Sequence, residues 1–331
     1  MSAIDEVRPV AAGTDLTPFL TIVTPTFNRA HTLPRLFESL ARQADHGFEW
    51  LIVDDGSTDA TPEYCASLLA QSEVSVRVIR KANGGKHTAL NAAMPAVRTE
   101  LVFIVDSDDY VTADAVSSIR DVWRDHRVAD CSGVCFLRGT TEHDTLGARF
   151  PVDGEVASYI EMRFNRGVRG DKAEVYRSDL LRRFPFPEFE GERFLAEDAV
   201  WAAIGLEYRM IHINQIIYVG NYLEAGLTQG GKSFMVKCPN GAIESVRWFL
   251  SPKVRLKVRL PMAWRYIAYG LFARRSIVRH IGSSGAALLV ASQLPAGIAL
   301  YFYWRRRFRN ELGAAKIASK TGRTAASASR P

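Results

Sequence analysis

The chain of 331 residues is poor in cysteine. Its four, Cys65, Cys131, Cys135 and Cys238, form no CxxC pair and have no histidine cluster beside them. That argues against a disulfide scaffold and a structural zinc site, and leaves buried free thiols in a reducing compartment. Residues 1–18 lack the continuous apolar core of a secretory leader, so the main body is expected in the cytoplasm. There is no GxxxxGK[ST] run, hence no P-loop, and no internal repeat. Acid is scarce in one region only. From Pro252 onward there are sixteen Lys/Arg and a single acid, Glu311, a net charge of +15; the whole chain carries +6, which leaves −9 on residues 1–251. A basic, apolar segment joined to an acidic globular part points to a membrane surface or a nucleic acid as partner. The acidic part argues against nucleic acid as its own ligand, and the expectation is an anionic membrane surface with no nucleic acid bound.

What is present is ordinary in amount: 47% hydrophobic and 24% charged residues, enough for a substantial core and about two domains. The chain is organised around Leu101-Val-Phe-Ile-Val-Asp-Ser-Asp-Asp-Tyr110. The apolar run reads as a strand buried on both faces of a parallel sheet. Asp106, Asp108 and Asp109 then fall at its C-terminal end, where open α/β sheets bind ligands. Three acids in four residues repel one another unless a cation compensates. Asp-x-Asp at a strand end suits a hard divalent ion, Mg2+ or Mn2+, that keeps some water and grips a phosphate.

Taken in order, strands are expected at Phe19–Thr24, Glu49–Val53, Val74–Arg80 and Leu101–Val105. Helices are expected from Thr32 to about Ala44, from the Ser57/Asp59 cap to about Gln71, from about Thr88 to Val97 and from about Ala113 to Arg124. Further strands are expected at Ser132–Leu137 and Ala173–Tyr176, a helix near Leu195–Trp201, and a strand pair over Arg209–Tyr218. This alternation predicts an α/β fold with a mostly parallel sheet and helices on both faces. The Gly-rich Asn221–Gly231 stretch has the composition of a lid. The expected organisation is an N-terminal arm over 1–18, a catalytic domain over 19–235, a basic, apolar helical region over 236–312 and a disordered tail over 313–331.

Five motifs occur in a specific order: Thr24-Pro-Thr-Phe-Asn-Arg29, Val53-Asp-Asp-Gly-Ser-Thr-Asp59, Asn83-Gly-Gly85 followed by Ala89-Leu-Asn91, Asp106-Ser-Asp-Asp109 and Glu197-Asp198. In this order and spacing, over about residues 19–225, they resemble those of family 2 glycosyltransferases. The resemblance implies a GT-A (Rossmann-like) fold and inverting transfer of a sugar from a nucleotide-sugar donor, a UDP-sugar. It implies that Asp54 and Asp55 contact the nucleoside, that Thr24, Thr26, Phe27, Asn28, Lys86 and Asp106 line the donor, and that Asp106, Asp108 and Asp109 hold the metal. Asp198 matches the family's general base. Asp171, Lys172 and Glu197 are candidates for the acceptor side. Each has a plainer reading as well: Asp54 and Asp55 as turn and cap residues, Phe27 as core packing, Lys86 as a solvated side chain, Asp198 as a helix cap favoured by the helix dipole. Processive members carry QxxRW, where this chain has Glu244-Ser-Val-Arg-Trp248, so a non-processive enzyme is expected.

In the basic region, Met262–Ile281 mixes Trp264, Tyr266, Tyr269 and Phe272 with arginines, which suits a helix lying in a membrane interface. Ser283–Trp304 has 22 residues and no charge, the length of a span, although Gln293 and Pro295 and the arginines on both flanks disfavour spanning. The reading is a peripheral or monotopic enzyme on the inner face of the cell membrane, acting on a saccharide or lipid-linked acceptor in surface or exopolysaccharide synthesis. Two rivals use the same acids: a nucleotidyltransferase of similar fold, which lacks its glycine-rich basic signature here, and a non-catalytic nucleotide-sugar-binding protein.

Overall fold

The structure is a computed structural model that describes residues 17–312 apart from 73, 127 and 221–226; the side chains of 71 and 227–231 are not described. It divides into two compact units, one of residues up to Phe186 together with 200–221, the other of 187–199 together with 222 onward.

The first unit is built on a sheet of nine strands: β1 (Leu20–Thr26), β2 (Phe48–Asp54), β3 (Val76–Arg80), β4 (Leu101–Ile104), β5 (Tyr110–Val111), β6 (Cys131–Gly139), β7 (Glu155–Ala157), β8 (Lys172–Arg177) and β9 (Arg209–Val219). The order is β3-β2-β1-β4-β8-β6-β9-β5, with β7 on β9. The expected parallel arrangement is the β3-β2-β1-β4 half. Beyond β4 the sheet is mixed: β8 runs antiparallel to both β4 and β6, and β9 is parallel to β6. The expected pair over 209–218 is one eleven-residue strand, β9, with bulges along its pairing to β6. Bulges let one strand serve two neighbours and re-aim side chains at its end.

The local logic of the parallel half is burial. All seven residues of β1 and of β2 are buried, and the helix Leu33–Ala41 buries Leu33, Leu36 and Leu40 against them. Each such leucine contributes about 1.5–3 kcal/mol. Thr32 holds the N-cap position of that helix without capping it; a proline in the first turn starts the helix, and the Thr32 hydroxyl donates to the Arg29 carbonyl at 3.3 Å. The result that matters for function is that β1, β2 and β4 end side by side.

The second unit is helical. Its core is the helix Leu256–Phe272, with Ala263, Ile267 and Ala268 fully buried and Tyr266 and Tyr269 nearly so. The expected helix over 262–281 is instead the end of this helix and a second one, Ile277–Gly282, and Tyr266 and Tyr269 face the core. The uncharged 283–304 stretch is two helices, Ala287–Ser292 and Leu294–Arg307, that break at Gln293. Among the described residues no helix is long and apolar enough to cross a membrane. Of the Asn221–Gly231 stretch, 221–226 lie outside the described residues and Leu227 opens the helix Leu227–Lys237. The expected N-terminal arm and C-terminal tail lie outside them as well, save residues 17 and 18.

Candidate active site

The loops after β1 and β2 are stitched together by Asn28, one of two non-glycine residues with positive φ among the described residues (+55°). Asparagine tolerates that conformation because its short amide bonds locally. Here its Oδ1 accepts from the Thr58 N–H at 2.8 Å, and its own N–H donates to Ser57 Oγ at 2.9 Å. Thr24 is fully buried and accepts from Trp50 Nε1 at 2.9 Å, so it packs the sheet. Thr26 is buried with no hydrogen-bond partner for its Oγ1. Phe27, 43% exposed, is free to stack on a planar ligand.

Asp54 and Asp55 are both buried. Asp54 accepts from the Ser57 N–H at 2.8 Å and pairs with Arg80 Nε at 3.3 Å, which closes the turn at Gly56. Asp55 accepts from three donors of the next loop: Lys81 Nζ at 2.7 Å, the Gly84 N–H at 2.9 Å and the Gly85 N–H at 2.7 Å. It thus sets the start of the helix Lys86–Ala93, whose N-cap is Gly85 at φ +97°; only glycine enters that region without strain. The first residue of this helix, Lys86, puts its Nζ 2.5 Å from Asp106 Oδ1 at the end of β4. One line of contacts therefore runs from the β2 end through the glycine loop to the β4 end.

At that end the three acids differ. Asp106 and Asp108 keep about a quarter to a third of their side chains exposed. Burial works to raise the Asp106 carboxyl, but Lys86, then Arg138 and Arg29, outweigh it and hold it below the ordinary range. Asp108 has Arg29 at 3.8 Å, and its carbonyl accepts from Arg35. Asp109 is buried. Its Oδ2 accepts from Tyr218 Oη at 2.7 Å and from Arg138 at 2.8 Å, and burial lifts its pKa to about 6 against the pull of Arg138. Tyr218 Oη also accepts from the Asp106 N–H at 3.0 Å. Burial, with Asp106 and Asp109 nearby, keeps that phenol protonated far above its usual range.

These observations sort the metal candidates. Asp106 and Asp108 offer hard oxygen donors at an open edge, which fits Mg2+ or Mn2+ completed by water and diphosphate oxygens. Asp109 is spent on Tyr218 and Arg138. Among the described residues no cluster of three or more His, Cys, Asp or Glu forms a metal cage.

Of the acceptor-side candidates, Asp171 reaches Arg138 at 3.8 Å and is half-exposed. Lys172 is buried, with Nζ against the carbonyls of Arg169 and Gly170 at 3.2 and 3.3 Å. Burial, then Arg163, lowers its pKa to about 8, so it braces its own turn. Glu197 and Asp198 are half-buried and fall in the second unit. Asp198 opens the helix Asp198–Glu207. Further along that helix, within the first unit, Trp201 stacks on Tyr176 with ring centres 4.3 Å apart.

Arg138 and Tyr218 were not singled out from sequence, nor was Lys81. Arg138 is the one charged residue of β6, and a lone cation near the end of an otherwise apolar strand is the signal that was there to read.

Residues 21–183 match the family model described as Glycosyl transferase family 2. The putative glycosyltransferase EpsH of Bacillus subtilis (strain 168) is 26% identical over 231 residues, 64% of this chain and 67% of that protein. S. aureus TarS 1-349 in complex with UDP-GlcNAc shares the fold at a TM-score of 0.54 and 18% identity, over 87% of this chain and 91% of that one. The mannosyltransferase PcManGT from Pyrobaculum calidifontis in complex with GDP-Man and Mn2+ does so at 0.52 and 18%, over 96% and 90%. The chain spans 37%, 67% and 35% of the length of the first three curated relatives it matches. With the match over 21–183 and the first four motifs on the loops that follow β1, β2, β3 and β4 of one sheet, the chain belongs to glycosyltransferase family 2.

Proposed function

We propose that this protein transfers a sugar, with inversion, from a nucleotide-sugar to a hydroxyl of a saccharide or lipid-linked acceptor. The observation that carries the reading is the β4 end: two accessible carboxylates, Asp106 and Asp108, touched by Lys86 and Arg29. Carboxylates and cations alternating at one strand end suit a diphosphate with its metal, because each phosphate oxygen then finds either an ammonium, a guanidinium or a shared cation. TarS with UDP-GlcNAc and PcManGT with GDP-Man and Mn2+ support the donor class; we take the donor to be a UDP-sugar.

In this reading Phe27 covers the base and the buried, unpartnered Thr26 hydroxyl lies beneath the donor. Lys86 and Arg29 neutralise the diphosphate. Mg2+ or Mn2+ on Asp106 and Asp108 supplies further charge neutralisation when bound. Asp198 removes the acceptor hydroxyl proton as that oxygen forms the new bond to the anomeric carbon; the bond to the diphosphate breaks, and the nucleoside diphosphate leaves with its electron pair. The basic, apolar second unit supports a site of action on the inner face of the cell membrane, with a lipid-linked acceptor of surface polysaccharide synthesis.

The test is a panel of UDP- and GDP-sugars with membrane lipid extract, scored for released nucleoside diphosphate and for inversion. Asp198→Asn should keep donor binding and lose about 10²–10⁴-fold in transfer; transfer near the parent's rate would remove it as base. Activity indifferent to a chelator would remove the metal.

A further inference from the structure

We infer that the second unit docks on an anionic lipid bilayer through the outer faces of its last three helices, and not through the aromatic helix at its centre. The inference adds a surface to the membrane location proposed above and rests on that reading only for its biological setting.

Tyr266 and Tyr269 of the central helix Leu256–Phe272 are used up inside. Tyr266 Oη donates to the His280 carbonyl at 3.1 Å and its ring stacks on His280, while Tyr269 meets Trp304 with ring centres 5.2 Å apart. The exposed apolar side chains lie elsewhere: Leu288 at 90%, Val278 at 77%, and Phe302 and Tyr303 at 58% each. They sit on Ala287–Ser292, Ile277–Gly282 and Leu294–Arg307.

Packing explains why the last helix turns those residues outward. Gly297 lies so close to Ile267 that an added Cβ would come within 2.5 Å of it, and Trp304, seven residues on, is buried beside Tyr269. Residues seven apart share a helix face. That face is committed to the core, so Phe302, Tyr303 and Arg306 point away from it. Arg305, Arg306, Arg307 and Arg309 are exposed, as are Arg274 and Arg279. Between 252 and the last residue only Glu311 is acidic, so this charge is not neutralised within the segment.

Bare leucine, valine and phenylalanine beside unneutralised arginine is the chemistry of an interfacial membrane contact: apolar groups enter the acyl boundary while guanidinium groups meet lipid phosphates. A nucleic acid would account for the arginines and not for Leu288 or Val278. A second copy would account for the apolar groups but would bring two strongly positive surfaces together. The last helix is about 21 Å long, short of the ~30 Å core of a bilayer, which leaves docking rather than spanning.

The experiment is sedimentation of the full chain with phosphatidylcholine vesicles, with and without about one third phosphatidylglycerol. The parent should bind the anionic vesicles at least tenfold more tightly, in part resistant to salt. Leu288→Glu with Phe302→Glu should weaken that binding tenfold or more without changing the thermal midpoint, since both side chains are exposed. Arg305→Gln, Arg306→Gln and Arg307→Gln should each cost about fivefold on anionic vesicles. Equal partition onto neutral and anionic vesicles, no partition onto either, or a dimer that Leu288→Glu/Phe302→Glu dissolves would each overturn the inference. Asp198→Asn should bind vesicles like the parent. A protein that glycosylates a soluble acceptor yet ignores vesicles would sink the docking surface and leave the catalytic reading standing.

Discussion

Lys86 Nζ and Asp106 Oδ1 are in ionic contact at 2.5 Å, and neither is placed by its own motif alone. Lys86 is set by Asp55 through the backbone of Gly84 and Gly85; Asp106 is set by β4 and by the Tyr218 hydroxyl on its N–H. In the ligand-free enzyme the lysine offsets the repulsion among Asp106, Asp108 and Asp109. In the proposed reading the same ammonium turns to the diphosphate when donor binds. Lys86→Met should therefore raise the donor KM about tenfold or more, the worth of one charge-assisted hydrogen bond at roughly 1.5–3 kcal/mol. Steady-state kinetics with varied nucleotide-sugar checks this, and an unchanged KM would separate Lys86 from the donor.

Tyr218 ties Asp109 to Asp106 from a strand 109 residues away in sequence. Removing its hydroxyl leaves a buried carboxylate short of a donor and a backbone N–H short of an acceptor. Tyr218→Phe should cost about 1–3 kcal/mol of stability and lower kcat more than it raises KM, because it loosens the acids without touching the donor. A urea melt alongside kinetics distinguishes this from a simple packing role, which would lower stability and leave kcat per folded molecule intact.

This network marks the border of what sequence could reveal. The β3-β2-β1-β4 half follows from apolar runs alternating with amphipathic helices, and the polar strand ends fall where those runs stop. The pairing of β8, β6 and β9 does not follow, because it joins strands distant in sequence, with antiparallel pairs on either side of β8 and bulges along β9. Arg138 and Tyr218 reach the site only through that pairing. Asp54 and Asp55 are legible as polar residues at a strand end, but their partners, Arg80, Lys81 and the glycine loop, show them as loop anchors, which the motif alone does not reveal. Over 262–281 composition alone does not separate two outcomes: a small helical unit buries Tyr266 and Tyr269, which an interfacial helix would expose, and only packing tells them apart.

Gly56 tests the loop line without touching a charged group. Its φ is +79°, and a Cβ there would come within 2.8 Å of the Asn83 backbone N and 3.1 Å of the Lys81 carbonyl. Both neighbours are backbone and have no rotamer to yield. Gly56→Ala should destabilise by about 1–3 kcal/mol and should also raise donor KM, because the displaced loop carries Lys86. Thermal melts and donor titration check both, and a stable variant with parental KM would show that the loop is not held through this turn.

His212 gives the pH signature. It is almost fully buried in β9, with its Nδ1 3.1 Å from the Glu155 carbonyl and its ring edge-on to Phe150 at 4.8 Å. Burial, against a weaker pull from the Glu155 carbonyl, depresses its pKa from 6.5 to about 4. The folded protein thus keeps the ring neutral where the unfolded chain protonates it. The stabilisation is fully present above pH ~6.5 and is lost as pH falls from there through about 4. At about 1.36 kcal/mol per pH unit the loss amounts to roughly 3 kcal/mol. His212→Gln carries no titrating ring and should lose that slope. Its stability at neutral pH should be lower than the parent's, and the gap should close as the pH falls from 6.5 to 4. Chemical denaturation at a series of pH values measures this directly, and parallel curves for parent and variant would show that His212 does not govern the acid limb.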